Sequence, residues 1–140
     1  MCELLEQDPE QARPAVLELV DAGDVALRTT GVWALDFIAS DEDLSRLLTL
    51  LNDSYSDVRS AAAAPVGQFA ERLPTAMDAL AAALNDPDPQ VRISVLSALG
   101  HTRATAAVPH VTRLIDDPNE EVRRWVTIAL DRLGKATPQP

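Results

Sequence analysis

The chain has 140 residues, of which 46% are hydrophobic and only 4% aromatic, and its formal net charge is −10. This negative charge repels phosphate backbones and anionic lipid, so we expect neither nucleic acid nor a membrane surface as a partner. Cys2 is the single cysteine and cannot form a disulfide within the chain, which predicts a reducing, cytoplasmic location.

One sequence pattern recurs four times along the chain. An apolar residue followed by arginine occurs at spacings of 31, 33 and 31 residues, a period typical of helical-repeat arrays. The four arginines are Arg28, Arg59, Arg92 and Arg123. Aspartate stands six residues before the last three of them, at Asp53, Asp86 and Asp117, whereas the first unit has Ala22 at this place. The pattern predicts units at approximately residues 9–40, 41–72, 73–103 and 104–134.

Apolar residues also recur at fixed distances from each arginine. Eight residues before it stand Val20, Leu51, Leu84 and Ile115. Seven residues after it stand Leu35, Val66, Leu99 and Leu130. We therefore expect each unit to be a hairpin of two helices that buries these positions against its neighbours.

The predicted helices follow in chain order, with one irregular unit. Pro65 falls inside the second helix of the second unit and predicts a kink or bulge there. In the third unit, Asp88 is expected to cap the second helix, with Pro89 at its first position and Gly100 at its end. Asn119 is the expected cap in the fourth unit. Residues 135–140 cannot continue a helix and are expected to form a disordered tail.

This pattern resembles the HEAT-like repeats named after the phycobilisome lyase family, whose second helices read roughly as aspartate-proline, Val-Arg, then Ala and Ala-Leu-Gly. The closest copies run from Asp86 to Arg92 and on through Ala98, Leu99 and Gly100, and from Asp117 to Arg123. The resemblance covers about residues 11–134. It implies an all-α fold, a right-handed α-solenoid (α-α superhelix) of about four HEAT-like hairpins in a single domain, residues 1–134.

The resemblance further implies that the aspartate and arginine at each corner pair within or between units, as in other HEAT-like families. The expected structural ladder contains Asp53, Asp86, Asp117, Arg28, Arg59, Arg92 and Arg123. A basic ladder for an anionic ligand is the alternative, but three of the four arginines have a matching aspartate. We therefore predict a structural role for this set.

The second helices of such a solenoid are expected to line its concave surface, which is the usual binding face. Positions two and five after each arginine are predicted to point into the concavity, with the residue directly after the arginine beside them. The predicted partner-binding residues are Thr30, Trp33, Ile93, Ser94, Ser97, Arg124, Trp125 and Ile128. Exposed tryptophan is enriched in interface anchors. The alternative is that each tryptophan packs on a neighbouring helix or covers an end of the array.

Motifs for catalysis are missing from the sequence. His101 and His110 are the only histidines, and neither precedes a glutamate, so the His-Glu iron site of the HEAT-like deoxyhypusine hydroxylases is not expected. His101 is instead expected to cap a helix end. One cysteine excludes a zinc cluster, and the chain has neither a glycine-rich phosphate loop nor a nucleophile elbow. These observations predict no enzyme activity, no cofactor and no bound metal.

The sequence therefore favours a non-catalytic interaction scaffold that binds another protein on its concave face. One alternative, implied by the resemblance, is a lyase- or chaperone-like subunit that handles a prosthetic group. A less favoured alternative is a nucleic-acid-binding protein similar to the HEAT-like alkylpurine glycosylases, because these need a basic groove and this chain is acidic.

Overall fold

The computed structural model describes the backbone of residues 2–136, together with the side chains in this range except those of residues 2, 4, 135 and 136. All regular structure in this range is helical. The α-helices are α1 (Cys2–Gln7), α2 (Pro9–Val20), α3 (Val25–Ile38), α4 (Leu44–Leu50), α5 (Ser56–Gly67), α6 (Pro74–Ala83), α7 (Pro89–His101), α8 (Val108–Thr112) and α9 (Glu120–Ala136).

Four hairpins follow one another along the chain: α2–α3, α4–α5, α6–α7 and α8–α9. The predicted all-α solenoid is therefore confirmed, and α1 is an additional helix that contacts α2 and α3. The second helices of the hairpins stack in one continuous row, because α3 contacts α5, α5 contacts α7 and α7 contacts α9. No helix within residues 2–136 is both long and apolar enough to cross a membrane. The cytoplasmic location stays a prediction.

Small residues allow the helices to approach each other closely. A Cβ atom added to Gly31 on α3 would lie 2.5 Å from the backbone nitrogen of Val20 and 2.8 Å from Cβ of Leu19. On α7, a Cβ atom at Gly100 would lie 3.2 Å from Cα of Ala129 on α9. The backbones therefore touch at these crossings, and even alanine at position 31 would push α2 and α3 apart.

Side-chain caps start the second helices at the expected residues. Asp88 accepts a hydrogen bond from the backbone N–H of Gln90 at 2.8 Å, and α7 begins at Pro89. Asn119 accepts the backbone N–H of Glu121 at 2.9 Å before α9. Asp24 does the same for Leu27 at 3.0 Å before α3, a cap that the sequence analysis missed. The predicted caps of the third and fourth units are confirmed.

The ends of three helices differ in detail from the prediction. Pro65 does not kink α5 in mid-course, because the helix ends two residues later at Gly67 and the N–H of Gln68 bonds back to the Pro65 carbonyl at 3.3 Å. Helix α7 runs one residue past Gly100 to His101. Helix α9 continues through Ala136, so the predicted tail begins too early, and the rest of that tail, residues 137–140, lies outside the described residues.

An arginine closes each corner between neighbouring hairpins. Nη2 of Arg28 lies 3.1 Å from Oδ1 of Asp53 in the second unit. Arg59 binds Asp86 of the third unit through two parallel hydrogen bonds of 2.7 and 3.0 Å. The Arg92 guanidinium donates to Asp117 of the fourth unit at 3.0 Å. The ladder therefore runs between units, from each arginine to the aspartate of the next hairpin.

The same groups also hold the turn inside each unit. Each ladder arginine donates to the backbone carbonyl six residues before it, at distances of 2.7 to 2.9 Å. Each ladder aspartate accepts the backbone N–H two residues after it at 2.9 Å. One carboxylate therefore shapes its own turn and binds the preceding hairpin at the same time.

A further ion pair joins α2 to the turn before α4. Asp43 is buried, and its Oδ1 lies 2.5 Å from Nη2 of Arg13. Its Oδ2 accepts the backbone N–H of Ser40 at 2.8 Å. Burial alone would raise the pKa of Asp43, but the hydrogen bonds from the Ser40 backbone and the Arg13 guanidinium outweigh it, so the pKa of Asp43 lies below its ordinary value.

We expect the change Asp86→Ala to lower the free energy of unfolding by about 3 kcal/mol, because it leaves the Arg59 guanidinium partly buried without its bidentate partner. The matched control is Asp41→Ala, which removes an exposed pair with Arg72 and should have little effect. Urea unfolding of both variants measures the difference. Equal losses would contradict a special role for the corner pairs.

The lowered pKa of Asp43 makes stability depend on acidity. The ionised carboxylate stabilises the fold at pH values above its unfolded pKa of about 3.9, and this contribution is lost as the pH falls through the lower pKa of the folded state. Asp43→Asn should therefore be less stable than the wild type at pH 7. The difference in free energy of unfolding between the two proteins should shrink as the pH falls below about 4. Urea unfolding from pH 7 down to pH values well below about 4 tests this, and two stability curves that stay parallel over the whole range would contradict it.

Candidate functional site

The second helices of the hairpins border an open groove of about 910 Å³. Small side chains from α5 and α7 line much of it. They are Ser60, Ala61, Ala64, Gly67, Ser94, Ser97 and Ala98. Because these side chains are short, the groove can admit a long, narrow group along the row of second helices.

Three aromatic side chains line the groove. Trp33 and Phe37 come from α3 and are 60% and 79% exposed, and their spacing of four residues puts them on one face of the helix. Trp125 comes from α9 and is half-buried, with the Arg132 guanidinium carbon 5.8 Å from the centre of its ring. The groove therefore offers two freely accessible aromatic surfaces on α3 and a more protected one on α9.

Two carboxylates, Asp36 and Glu71, also line the groove. The side-chain amide of Gln68 donates to the carboxylate of Asp36 and, at 2.5 Å, to its backbone oxygen. Glu71 accepts the backbone N–H of Arg103 at 2.5 Å. Both partners are neutral donors, and within the described part of the chain neither carboxylate forms an ion pair. Among the described residues, their negative charges are therefore not paired directly with a cation.

A second groove of about 730 Å³ continues the first. The two share Trp33, Ser60, Ala61 and Ser94, and the second adds Thr30 and the carboxylate of Asp57. Among the residues whose side chains are described, those that line the two grooves include no lysine and no arginine. The combined surface is acidic and partly aromatic, which suits a cationic ligand with an apolar body.

Most of the predicted partner-binding residues lie on this surface. Trp33, Ile93, Ser94, Ser97 and Trp125 line the main groove, and Thr30 lines its continuation. The structure shows their position but does not test whether they bind a partner.

Two predicted residues do not line either groove. The Arg124 guanidinium lies along the surface of α9, 3.1 Å from a carboxylate oxygen of Glu121 and 3.7 Å from one of Glu120, because these acids sit one turn before it. Ile128 is exposed on α9 about one turn beyond Trp125, where neither groove reaches.

Several lining residues at the ends of the second helices were missed. Phe37, Gln68 and His101 each stand nine residues after a ladder arginine, so the repeat itself contained a signal that could have found them. Asp36 and Glu71 lie beside this row. Nδ1 of His101 is 2.7 Å from the Ser97 carbonyl, so this ring caps the end of α7 while it also lines the groove.

The groove does not provide a metal site. Across the residues described, no group of three or more histidine, cysteine, aspartate or glutamate side chains could hold a metal ion. His101 is already bonded to its own helix, and His110 lies apart on α8. These residues therefore do not fit an iron centre.

The different exposure of the two tryptophans predicts different access to a quencher. Acrylamide should quench Trp33 fluorescence, measured in a Trp125→Phe variant, more steeply than Trp125 fluorescence, measured in a Trp33→Phe variant. The physical reason is that Trp125 is partly buried against the hydrophobic core and the Arg132 guanidinium lies over its ring. Equal quenching constants would show that the two rings are equally accessible.

Comparisons with known proteins agree on the repeat and add a family of enzymes. The family model for HEAT repeats matches residues 1–65 and 77–139. Deoxyhypusine hydroxylase of Neurospora crassa is 38% identical over 64 residues, which is 44% of this chain and 20% of that protein. Human deoxyhypusine hydroxylase, solved in complex with glycerol, is similar with a TM-score of 0.70 and 26% identity, over 92% of this chain and 44% of the human one.

These similarities overturn part of the sequence interpretation. The predicted non-catalytic scaffold and the prediction of no enzyme are wrong, because the curated relative and the solved structure that match are both deoxyhypusine hydroxylases. The lyase-like and nucleic-acid-binding alternatives do not match these relatives either. The relatives are hydroxylases, so they do not support the predicted repeat family of the phycobilisome lyase type. Since the family model covers most of the sequence, the chain belongs to the HEAT-repeat family.

Proposed function

We propose that this chain belongs to a hydroxylase of the deoxyhypusine hydroxylase type and binds the amine-bearing side chain of the substrate in its groove. The similarity to the human enzyme over 92% of this chain supports the proposal. The chain spans less than half of that enzyme and one fifth of the Neurospora protein. The activity of those whole proteins is therefore proposed for this chain and not inferred directly from them.

The observation that carries the proposal is the chemistry of the groove lining. Asp36 and Glu71 supply carboxylates that form no ion pair within the described part of the chain, and Trp33, Phe37 and Trp125 supply aromatic faces. Deoxyhypusine is an amino acid with a long aliphatic side chain that carries amino groups, which are protonated at neutral pH. Carboxylates bind such ammonium groups, and aromatic faces attract them by about 0.5–2 kcal/mol each.

The shape of the groove lining also suits this substrate. The methylene segments between the amino groups can lie on the rings of Trp33 and Phe37, because these two rings are exposed and the residues between α3 and α9 are small. The chain's own residues would then bind and orient the side chain. We assign no redox step to them, because the described side chains do not form an iron site.

We further infer that the amine is presented by another protein; a protein partner of unknown identity is also what the sequence led us to expect. The groove is open along the second helices, so a side chain held on a larger partner can enter it. Nucleic acid and anionic membrane surfaces suit it poorly, because Asp36, Asp57 and Glu71 would repel their phosphate groups.

The test measures, by isothermal titration calorimetry, the affinity for a short peptide that contains one deoxyhypusine. The comparison is the affinity for the same peptide with lysine at that position. The wild type should bind the deoxyhypusine peptide at least about tenfold more tightly, since the second amine reaches a further carboxylate. The double change Asp36→Asn and Glu71→Gln should remove most of this preference.

The control is the double change Asp78→Asn and Asp116→Asn, which alters the net charge equally at exposed sites outside both grooves. It should leave the affinity nearly unchanged. Equal affinity of the wild type for the two peptides would refute the proposed substrate. Equal loss in both double variants would show that only the overall charge matters.

A further inference from the structure

We propose that the end face of the fourth hairpin, defined by Ile115, Arg123 and Leu130, docks a further HEAT-type hairpin that carries an aspartate in the turn between its helices. This surface is separate from the groove, and the proposal does not depend on the proposed function. It rests on a comparison of the same repeat positions in the four units.

The first observation concerns the ladder arginines. Arg28, Arg59 and Arg92 each bind a carbonyl of their own unit and an aspartate of the next unit. Arg123 makes the first of these bonds, to the Asp117 carbonyl at 2.7 Å, and is exposed. Among the described residues it has no carboxylate partner. Its guanidinium is therefore held as in the other units, but its contact to an aspartate of a following unit is unfilled.

The second observation concerns the apolar residue eight positions before each arginine. Val20, Leu51 and Leu84, each in a unit that another hairpin follows, are only 2%, 3% and 1% exposed. Ile115 stands at the same position in the fourth unit and is 55% exposed. Leu130 is only partly buried, whereas Leu35, Val66 and Leu99 at its repeat position are fully buried.

These two observations together specify the partner. In each of the first three units, a buried apolar residue at this position accompanies an arginine that binds the aspartate of the following turn, so a hairpin with that aspartate continues an arrangement already present three times. A second copy of this chain is a poorer partner. Its first hairpin has Ala22 where the aspartate is needed.

The test inserts a copy of the third hairpin, residues 73–103, between Gly134 and Lys135 of the full chain. The inserted aspartate would then follow Arg123 by 25 residues, the separation that joins Arg28 to Asp53. The comparison uses four proteins, with aspartate or asparagine at the inserted copy of position 86 and with or without R123Q. Urea unfolding gives the coupling between the two positions.

We expect Arg123→Gln to raise the unfolding equilibrium constant about tenfold more when the inserted hairpin carries aspartate than when it carries asparagine. Amide hydrogen exchange should show α9 protected by the aspartate-bearing hairpin. If the inserted third hairpin does not fold, a copy of residues 104–134, which carries Asp117, replaces it and keeps the same separation.

Two outcomes would overturn the proposal. The first is the absence of coupling, with Arg123→Gln equally costly in the aspartate and asparagine versions. The second is a concentration-dependent dimer of the natural chain in sedimentation experiments that Ile115→Ser dissolves. That result would show that a second copy covers the end face instead of an aspartate-bearing hairpin.

Discussion

The bond between an arginine of one hairpin and an aspartate of the next is the constraint on which the rest of this structure depends. The carboxylate accepts the guanidinium of the preceding unit and also a backbone N–H of its own turn. Because one group does both, the shape of each turn and the placement of its neighbour are fixed together. Apolar burial supplies most of the stabilisation. The corner bonds determine how the hairpins are oriented while that burial occurs.

The groove is a consequence of this stacking. Since consecutive units are superimposed with nearly constant rotation, residues at one repeat position form a row along the second helices. The row nine residues after the ladder arginines brings Phe37, Gln68 and His101 to one side of the groove. The framework needs no particular residue at these exposed positions, so their chemistry is free to serve a ligand.

Much of the fold could be predicted from the sequence because its determinants are local and periodic. Each cap, Asp88 or Asn119, lies next to the helix that it starts, and each ladder aspartate stands six residues before the arginine of its own unit. These local patterns recur in successive units. The groove was predicted less completely. Which turn of a helix reaches the groove depends on how the helices cross, so Arg124 and Ile128 do not line it, whereas Asp36 and Glu71 line it without having been predicted. The functional prediction failed because it relied on missing catalytic motifs, and a substrate-binding surface has no such motif.

The acidic composition has two distinct physical roles in this chain. Asp43, Asp53, Asp86 and Asp117 are matched by arginines, so the fold itself neutralises their charge. Asp36 and Glu71 are oriented by neutral donors, which fix the position of a carboxylate without cancelling its charge. A cation that enters the groove therefore meets carboxylates that neutral donors have already positioned. This difference in pairing, which net charge alone does not reveal, connects the architecture of the repeats to the proposed recognition of an amine.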